Sequence, residues 1–424
     1  MNIRSKSTGS RLYRSPNLPV PESRILMLAP TPYFADRGCH VRIYEEARTL
    51  IGLGHDVRIV TYHLGRDMPG VPTFRIGRVP WYGKLAAGPS WHKPYLDLLL
   101  FFRAWGVARS FRPHLIHAHL HEGALIGALL KPLLRVPLLF DYQGSLTGET
   151  LDHGFMKRGG LMHRLFRRIE RFIDHRADFI VTSSEGGSEA LRQEWGVPAD
   201  RVAPLTDGVD TDTFVPGPRE EARRELRLPL DRPVALFLGV LNRYQGIDLL
   251  LDTVRLVRAA GHPLHFLIMG FPEEEYRQRA IAEGLADSVT FTGRVDYAEV
   301  PRLLAAGDVA LSPKVSLTEA NGKLLNYMAC GLPSVVFDTP VNREILGDTG
   351  VYARYGHAAD FANQLMSLVD DPTRLATLGT AARERAVLEH SLQARGAALI
   401  GIFSGLVKAG IRDSGLGNGK GREL

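Results

Sequence analysis

Cysteine is nearly absent: the 424-residue chain has two, Cys39 and Cys330. Two thiols build neither a disulfide framework nor a cysteine-only metal site, and the composition fits a reducing cytoplasm. Also missing is the run of ~18 to 20 apolar residues that a membrane-crossing helix needs. The nearest stretch, residues 96–107, is broken by Asp97 and Arg103. The first twenty residues are basic but have no apolar core of the kind a secretory signal requires. Residues 1–22 are therefore expected to be a disordered lead-in, and the protein is expected to stay in the cytoplasm. No Gly-x-Gly-x-x-Gly follows either strand that opens a domain, which disfavours a dehydrogenase. The net charge of +6 suits nucleic acid, an anionic bilayer or a phosphorylated ligand. No aromatic interleaving or nucleic-acid motif accompanies the charge, so a nucleic-acid partner is not expected.

What is present is a globular composition, 45% hydrophobic and 23% charged, in a chain long enough for two cores. From Arg24 short β-rich runs alternate with helical periods: RILMLA, a stretch with Ile43, Ala47 and Leu50 on one face, then DVRIVTY. Further strands are expected at 115–118, 136–142, 179–183 and 201–205. After a turn-rich segment, alternation restarts with strands at 234–239, 265–270, 289–293, 309–313 and 334–337. Strands apolar throughout point to parallel sheets covered on both faces, and hence to an α/β fold of two Rossmann-like domains. The expected boundaries are an N-terminal domain over 23–206, a linker over 207–218 and a C-terminal domain over 219–390. A helix over 391–411 returns toward the first domain, and 412–424 form a polar, glycine-rich disordered tail.

Six landmarks occur in order: Asp36-Arg37-Gly38, Gly54-His55-Asp56-Val57, Ile116-His117-Ala118-His119, Asp207-Gly208-Val209-Asp210, Gly239 with Gly246, and Met328-Ala329-Cys330-Gly331-Leu332-Pro333. Over roughly residues 24–402 this series resembles glycosyltransferase family 4. The resemblance implies the GT-B fold, two Rossmann-like domains with parallel sheets facing a deep interdomain cleft. It also implies transfer of a sugar, a hexose in particular, from a nucleoside-diphosphate sugar with retention of configuration. The leaving diphosphate itself accepts the acceptor hydroxyl's proton, so neither a metal nor another cofactor is expected. The acceptor is expected to be lipid-linked or a polysaccharide, in cell-envelope or exopolysaccharide synthesis. A nucleotide-sugar epimerase or hydrolase, or a catalytically silent binding subunit, are the alternatives.

The segment 319–331 carries most of the donor case. A turn at Asn321-Gly322 opens a helix on which Lys323 and Asn326, three apart, share a face, while Leu324, Leu325 and Met328 turn inward. Amides at a helix N-terminus attract a diphosphate, Lys323 adds a cation, and Asn326 can hydrogen-bond ribose hydroxyls. By the resemblance Glu319 faces the donor sugar as a catalytic group, one residue off the usual spacing, and Asn326 stands where the family has glutamate. The family also has arginine and lysine where this chain has Val240 and Gln245. Arg243 is the expected substitute, with Arg294 and Lys323.

In the first domain Gly38 allows close backbone approach to the donor. Arg37 and Arg42 are expected to meet an acceptor phosphate. His119 matches the family's catalytic cleft histidine. The alternation His117-Ala-His119-Leu-His121 has the look of metal-ligand spacing, but the family carries such histidines without metal, and none is expected. His121, Asp141, Gln143 and Glu149 are assigned to the acceptor side; for the 141–149 loop a plain turn competes with that reading. Finally, Lys157, Arg158, Arg164, Arg167, Arg168, Arg171 and Arg176 crowd a stretch whose Leu161, Leu165, Ile169 and Phe172 recur at helical spacing. It is either a core-packed helix with a solvated basic face or a helix lying on an anionic bilayer at the inner face of the cell membrane.

Overall fold

The structure is a computed structural model that describes residues 22–35, 38–83, 90–152, 156–316 and 321–413. The described residues form two compact units. One comprises the chain up to Thr206 together with the segment from Gln393 onward, the other Asp207–Leu392.

The first unit holds seven strands: β1 Arg24–Ala29, β2 Asp56–Thr61, β3 Thr73–Arg75, β4 Leu115–His119, β5 Leu138–Tyr142, β6 Phe179–Thr182 and β7 Val202–Pro204. They form one parallel sheet in the order β3-β2-β1-β4-β5-β6-β7. Its helices are α1 Gly38–Gly52, α2 Lys93–Phe111, α3 Leu120–Leu134, α4 Leu146–Asp152 and α5 Leu161–Arg176, with others beyond. Side chains alternate between the faces of a strand, and both faces are covered. Leu26, Leu28, Ile116 and Ala118 pack with Leu100 of α2 and Leu130 of α3. Ile25, Met27, Ala29 and Leu115 pack with Ile43 and Leu50 of α1 and with Leu399 and Phe403 of the closing helix Leu392–Asp413. The same alternation puts His117 and His119 on the α1 face.

The second unit repeats the plan with β8 Val234–Leu238, β9 His265–Met269, β10 Val289–Gly293, β11 Val309–Ser312, β12 Ser334–Phe337 and β13 Gly350–Ala353. These too are parallel, ordered β10-β9-β8-β11-β12-β13. Strand order reverses between β1 and β4 in the first sheet and between β8 and β11 in the second. Such switch points open a crevice at the strand carboxyl ends, where ligands of open α/β sheets bind.

Residues 207–218, expected as a linker, are instead built into the second unit. Val209 donates to the His390 carbonyl at 2.9 Å and accepts from the Leu392 amide at 3.0 Å. Phe214 is buried, and its carbonyl accepts from Arg383 Nη1 at 2.7 Å. The composition reflects the turns, while two apolar side chains fix the segment. Strands β3 and β13 have no counterpart among the expected ones. The first is a three-residue edge strand, too short for a periodic signal.

Candidate functional site

At the first switch point, the loop after β1 is tied to α1 through His40. Ala35 N–H donates to His40 Nδ1 at 2.9 Å, so Nε2 carries the ring proton and meets Thr31 Oγ1 at 2.6 Å. Next on α1, Arg42 forks onto Asp141, with Nε at 3.1 and 2.9 Å from the two oxygens and Nη2 at 2.5 Å from Oδ1. Arg42 also donates to the Leu205 carbonyl at 3.2 Å. Asp141, at the end of β5, further bonds His119 Nδ1 at 2.9 Å and Gln143 Nε2 at 2.8 Å. Burial works to raise the Asp141 pKa, but Arg42 and His119 outweigh it and hold the carboxyl well below the ordinary range. An ionised Asp141 makes His119 Nδ1 the donor, which leaves Nε2 as an acceptor. Among the described residues Nε2 has no hydrogen-bond partner.

Beneath it lie His117, pushed down to about 3 by burial and the neighbouring His119, and Glu46, whose Oε2 is 3.6 Å from His117 Nε2 and 3.8 Å from His119 Nε2. Glu46 pairs with Arg395 of the closing helix. Two buried guanidinium–carboxylate pairs therefore fix the rear of this site.

At the second switch point, β8 ends beside Gly239, where a Cβ would stand 2.8 Å from Lys323 Nζ. Lys323 opens the helix Lys323–Ala329. Its Nζ donates to Gln245 Oε1 at 2.6 Å and lies 4.3 Å from the Phe237 ring centroid. Burial, then the neighbouring Lys314, lower its pKa well below the ordinary lysine range. Gln245 belongs to a 3-10 turn, Arg243–Gln245, capped by Asn242 and closed by Gly246. The helix entrance is fixed by Asn321, whose Nδ2 donates to Ser312 Oγ at 3.0 Å and Asn342 Oδ1 at 2.8 Å. Tyr327 Oη accepts from the Leu238 amide at 2.8 Å, locking the helix to the end of β8. This is a cationic, glycine-floored crevice, suited to a phosphate-bearing ligand.

Residues 37–208 match the family model of the glycosyl transferase 4-like domain, and residues 232–371 match that of glycosyl transferases group 1. The two matches fall on the two switch-point sheets. The chain belongs to glycosyltransferase family 4. It is 28% identical over 375 residues to the D-inositol 3-phosphate glycosyltransferase of Gordonia bronchialis, covering 82% of this chain and 80% of that protein. Among solved structures, sucrose-phosphate synthase from Thermosynechococcus elongatus superposes with a TM-score of 0.74 at 19% identity, over 93% of this chain and 100% of its own. Anabaena HepE in complex with UDP gives a TM-score of 0.71 at 19% identity, covering 90% and 100%. The fold of this glycosyltransferase is thus GT-B.

Of the expected donor residues, Gly38 begins α1, while Lys323 and Asn326 lie partly exposed on one face of their helix above the buried Leu324, Leu325 and Met328. Arg243 and Arg294 are exposed, Arg294 over the Phe271 ring at 5.1 Å. Glu319 and Arg37 lie outside the described residues. On the acceptor side Gln143 is half-buried and Glu149, on α4, is exposed. Arg42 and Asp141, expected on the acceptor side, are both buried and paired with each other. His121 is buried as well, because Leu120, at φ 60°, turns the chain out of β4 and sends the next ring against Phe140 and Tyr142.

The expected apolar stripe of α5 is also not core-packed as a whole. Leu161, Leu165 and Phe172 are 83%, 49% and 43% exposed, and the buried residues are Glu170, Ile173 and Asp174. Sequence reasoning missed Glu46, Lys314, Tyr327 and Arg395. Arg395 meets a partner 349 residues away, which no spacing within one sequence reveals.

Proposed function

We propose that this glycosyltransferase moves a hexosyl group from a nucleoside-diphosphate sugar, with retention, to a lipid-linked or polysaccharide acceptor in cell-envelope or exopolysaccharide synthesis. The observation that carries the donor half is Lys323 Nζ beside the Gly239 floor of the second switch point. The diphosphate lies along that floor, its charge met by Lys323 and Lys314, with Arg243 and Arg294 closer to solvent. This pair takes the place of the cations missing at 240 and 245. As the bond from the anomeric carbon to the diphosphate oxygen breaks, the negative charge developing on that oxygen falls under Lys323, and the leaving group takes the acceptor hydroxyl's proton. Glu319 acts on the donor sugar; His119, the family's cleft histidine by resemblance, is fully buried with Nε2 3.8 Å from Glu46 Oε2 and supports the first switch point from within. Asp141 and Arg42 are positioning residues that hold the His119 ring. In this scheme the transfer step calls on no metal or cofactor. The UDP complex of HepE supports a uridine nucleotide as the first donor to try.

The acceptor half rests on α5, where exposed Leu161, Leu165 and Phe172 stand among exposed Arg164, Arg168 and Arg171. No helix among the described residues is long and apolar enough to cross a membrane, so a surface attachment through apolar and basic residues together would bring the protein to a lipid-linked acceptor from the cytoplasmic side. A second reading, a free sugar- or cyclitol-phosphate acceptor, is favoured by the activity for which the inositol-phosphate relative is named.

Two measurements separate the readings. Mass-spectrometric detection of product from UDP-sugars with membrane extracts, against inositol phosphate alone, identifies the acceptor class. Co-flotation with vesicles of about 30% phosphatidylglycerol, which mimic an anionic leaflet, should fall in Leu165→Glu and Phe172→Glu. Nucleotide-sugar breakdown that no acceptor accelerates would instead point to a hydrolase or epimerase, and no nucleotide binding at all to a silent subunit.

A further inference from the structure

The buried face of α5 carries two carboxylates, Glu170 and Asp174, one helical turn apart and 0% and 1% exposed. Facing them is His121 at the start of α3. Its Nε2 lies 3.6 Å from Glu170 Oε1 and 3.6 Å from Asp174 Oδ1. These separations exceed hydrogen-bond length. Glu170 Oε2 is anchored by the Thr147 amide at 2.8 Å. Among the described residues, His121 Nε2, Glu170 Oε1 and both Asp174 oxygens have no hydrogen-bond partner. Two carboxylates and an imidazole thus converge at ion-pair distance in one buried site with four polar atoms that lack a hydrogen bond, an arrangement that favours a further compensating charge. One ligand atom from each residue lies within 4.8 Å of the others. Around a tetrahedral ion with bonds of ~2.0 to 2.2 Å, ligand atoms stand about 3.3 to 3.6 Å apart, and both separations from His121 Nε2 to the carboxylates, 3.6 Å, meet that spacing.

We propose that His121 Nε2, Glu170 and Asp174 bind a divalent transition-metal ion of the zinc class. A neutral imidazole and two carboxylates match its double charge, and the second Asp174 oxygen can complete the coordination. The ion is structural: it staples α3 to α5, and through Thr147 it reaches α4. It therefore fixes the basic helix without touching the transfer chemistry. The other cluster of this kind, Glu46 with His117 and His119, is less suited to a cation, because its one carboxylate is already paired with the Arg395 guanidinium and lies 3.7 Å from Arg42 Nε. The alternation of histidines in the sequence is no guide, since the third turns to the opposite face of the sheet and finds its partners on α5.

The test is elemental analysis of the untagged full-length protein, produced in zinc-supplemented medium and passed through metal-stripped buffer. The expectation is about one zinc per chain, as for a closed structural site, retained in His117→Gln and lost in both Glu170→Gln and Asp174→Asn. Cobalt replacing zinc should give tetrahedral d–d absorption that the same two variants abolish. Should either variant lose its circular-dichroism signature, the other and the cobalt spectrum of wild type decide. Wild type without metal, or zinc that persists in Asp174→Asn and disappears in His117→Gln, overturns the proposal.

Discussion

Gln245 accepts a 2.6 Å hydrogen bond from Lys323 Nζ, so the side chain at a position where the family resemblance implies a second cation holds the lysine in place. A lysine there would repel Lys323; an amide oxygen instead holds it over the Gly239 floor. In the proposed donor site this aligns Lys323 before a phosphate arrives, which would reduce the ordering cost of binding.

Lys323→Met keeps most of the stem packed on Phe237 and removes the charge. One charge-assisted hydrogen bond contributes about 1.5 to 3 kcal/mol, so UDP should bind roughly tenfold to a hundredfold more weakly. Gln245→Ala should cost less, because it loosens the cation without deleting it. Calorimetric titration with UDP checks both, and undiminished affinity in the lysine variant would remove the residue from the donor site.

The depressed pKa of Lys323 makes binding proton-linked. Burial, then Lys314, disfavour the ammonium in the free protein, whereas a bound diphosphate favours it. Ligand binding therefore raises the pKa and takes up a proton wherever the free amine is partly neutral. Affinity should strengthen as pH falls toward the free-state pKa and level off below it. Titrations at one pH in buffers of different ionisation enthalpy report the proton directly, and the slope should vanish in Lys323→Met. A wild-type enthalpy independent of buffer would contradict the linkage.

Much of this was legible in the sequence, for definable reasons. Apolar runs marked eleven of the strands, because parallel strands covered on both faces have no polar side. The helix at 323 was legible because Leu324, Leu325 and Met328 recur at its period. The first-domain site was less so. Arg42 and Asp141 looked like ligand-binding groups, because a sequence records charge but not which charge it neutralises. On α5 the hydrophobic spacing marked a helix but left its facing open between core and surface, and the exposed Leu161, Leu165 and Phe172 exclude only the fully core-packed alternative. Glu170 and Asp174, the acidic pair within a basic stretch, were the signal that the inward face is polar.

Arg42 and Asp141 offer a test of positioning against direct contact. Removing one partner of a buried ion pair leaves the other uncompensated, at a cost of about 3 to 5 kcal/mol. Asp141→Asn should destabilise the protein and release the His119 tautomer, lowering kcat more than it raises the acceptor KM. A residue that touched the acceptor would chiefly raise KM. The pair also predicts the acid limb. Asp141 is held below its unfolded value, so its stabilisation is present above the unfolded Asp pKa of ~3.9 and is lost as pH falls through the lower folded value. Urea midpoints between about pH 5 and 2 should fall less steeply in Asp141→Asn than in wild type.

Gly246 closes the turn that carries Gln245, and its backbone is left-handed at φ 74°. A Cβ there would lie 1.9 Å from the Pro313 carbonyl oxygen, a contact no rotation relieves because the oxygen belongs to the main chain and a Cβ is fixed to it. Gly261 has nearly the same φ, 71°, and a Cβ added to it would meet nothing within 4 Å. Gly261→Ala should therefore cost only the left-handed strain, about 1 to 2 kcal/mol. Gly246→Ala should cost more and, by pushing the turn away from Pro313, should also carry Gln245 off Lys323 and weaken UDP binding. Urea unfolding and UDP titration of the two variants separate strain from collision: equal stability losses and equal affinities would show that the close approach to Pro313 has no part in building the donor site.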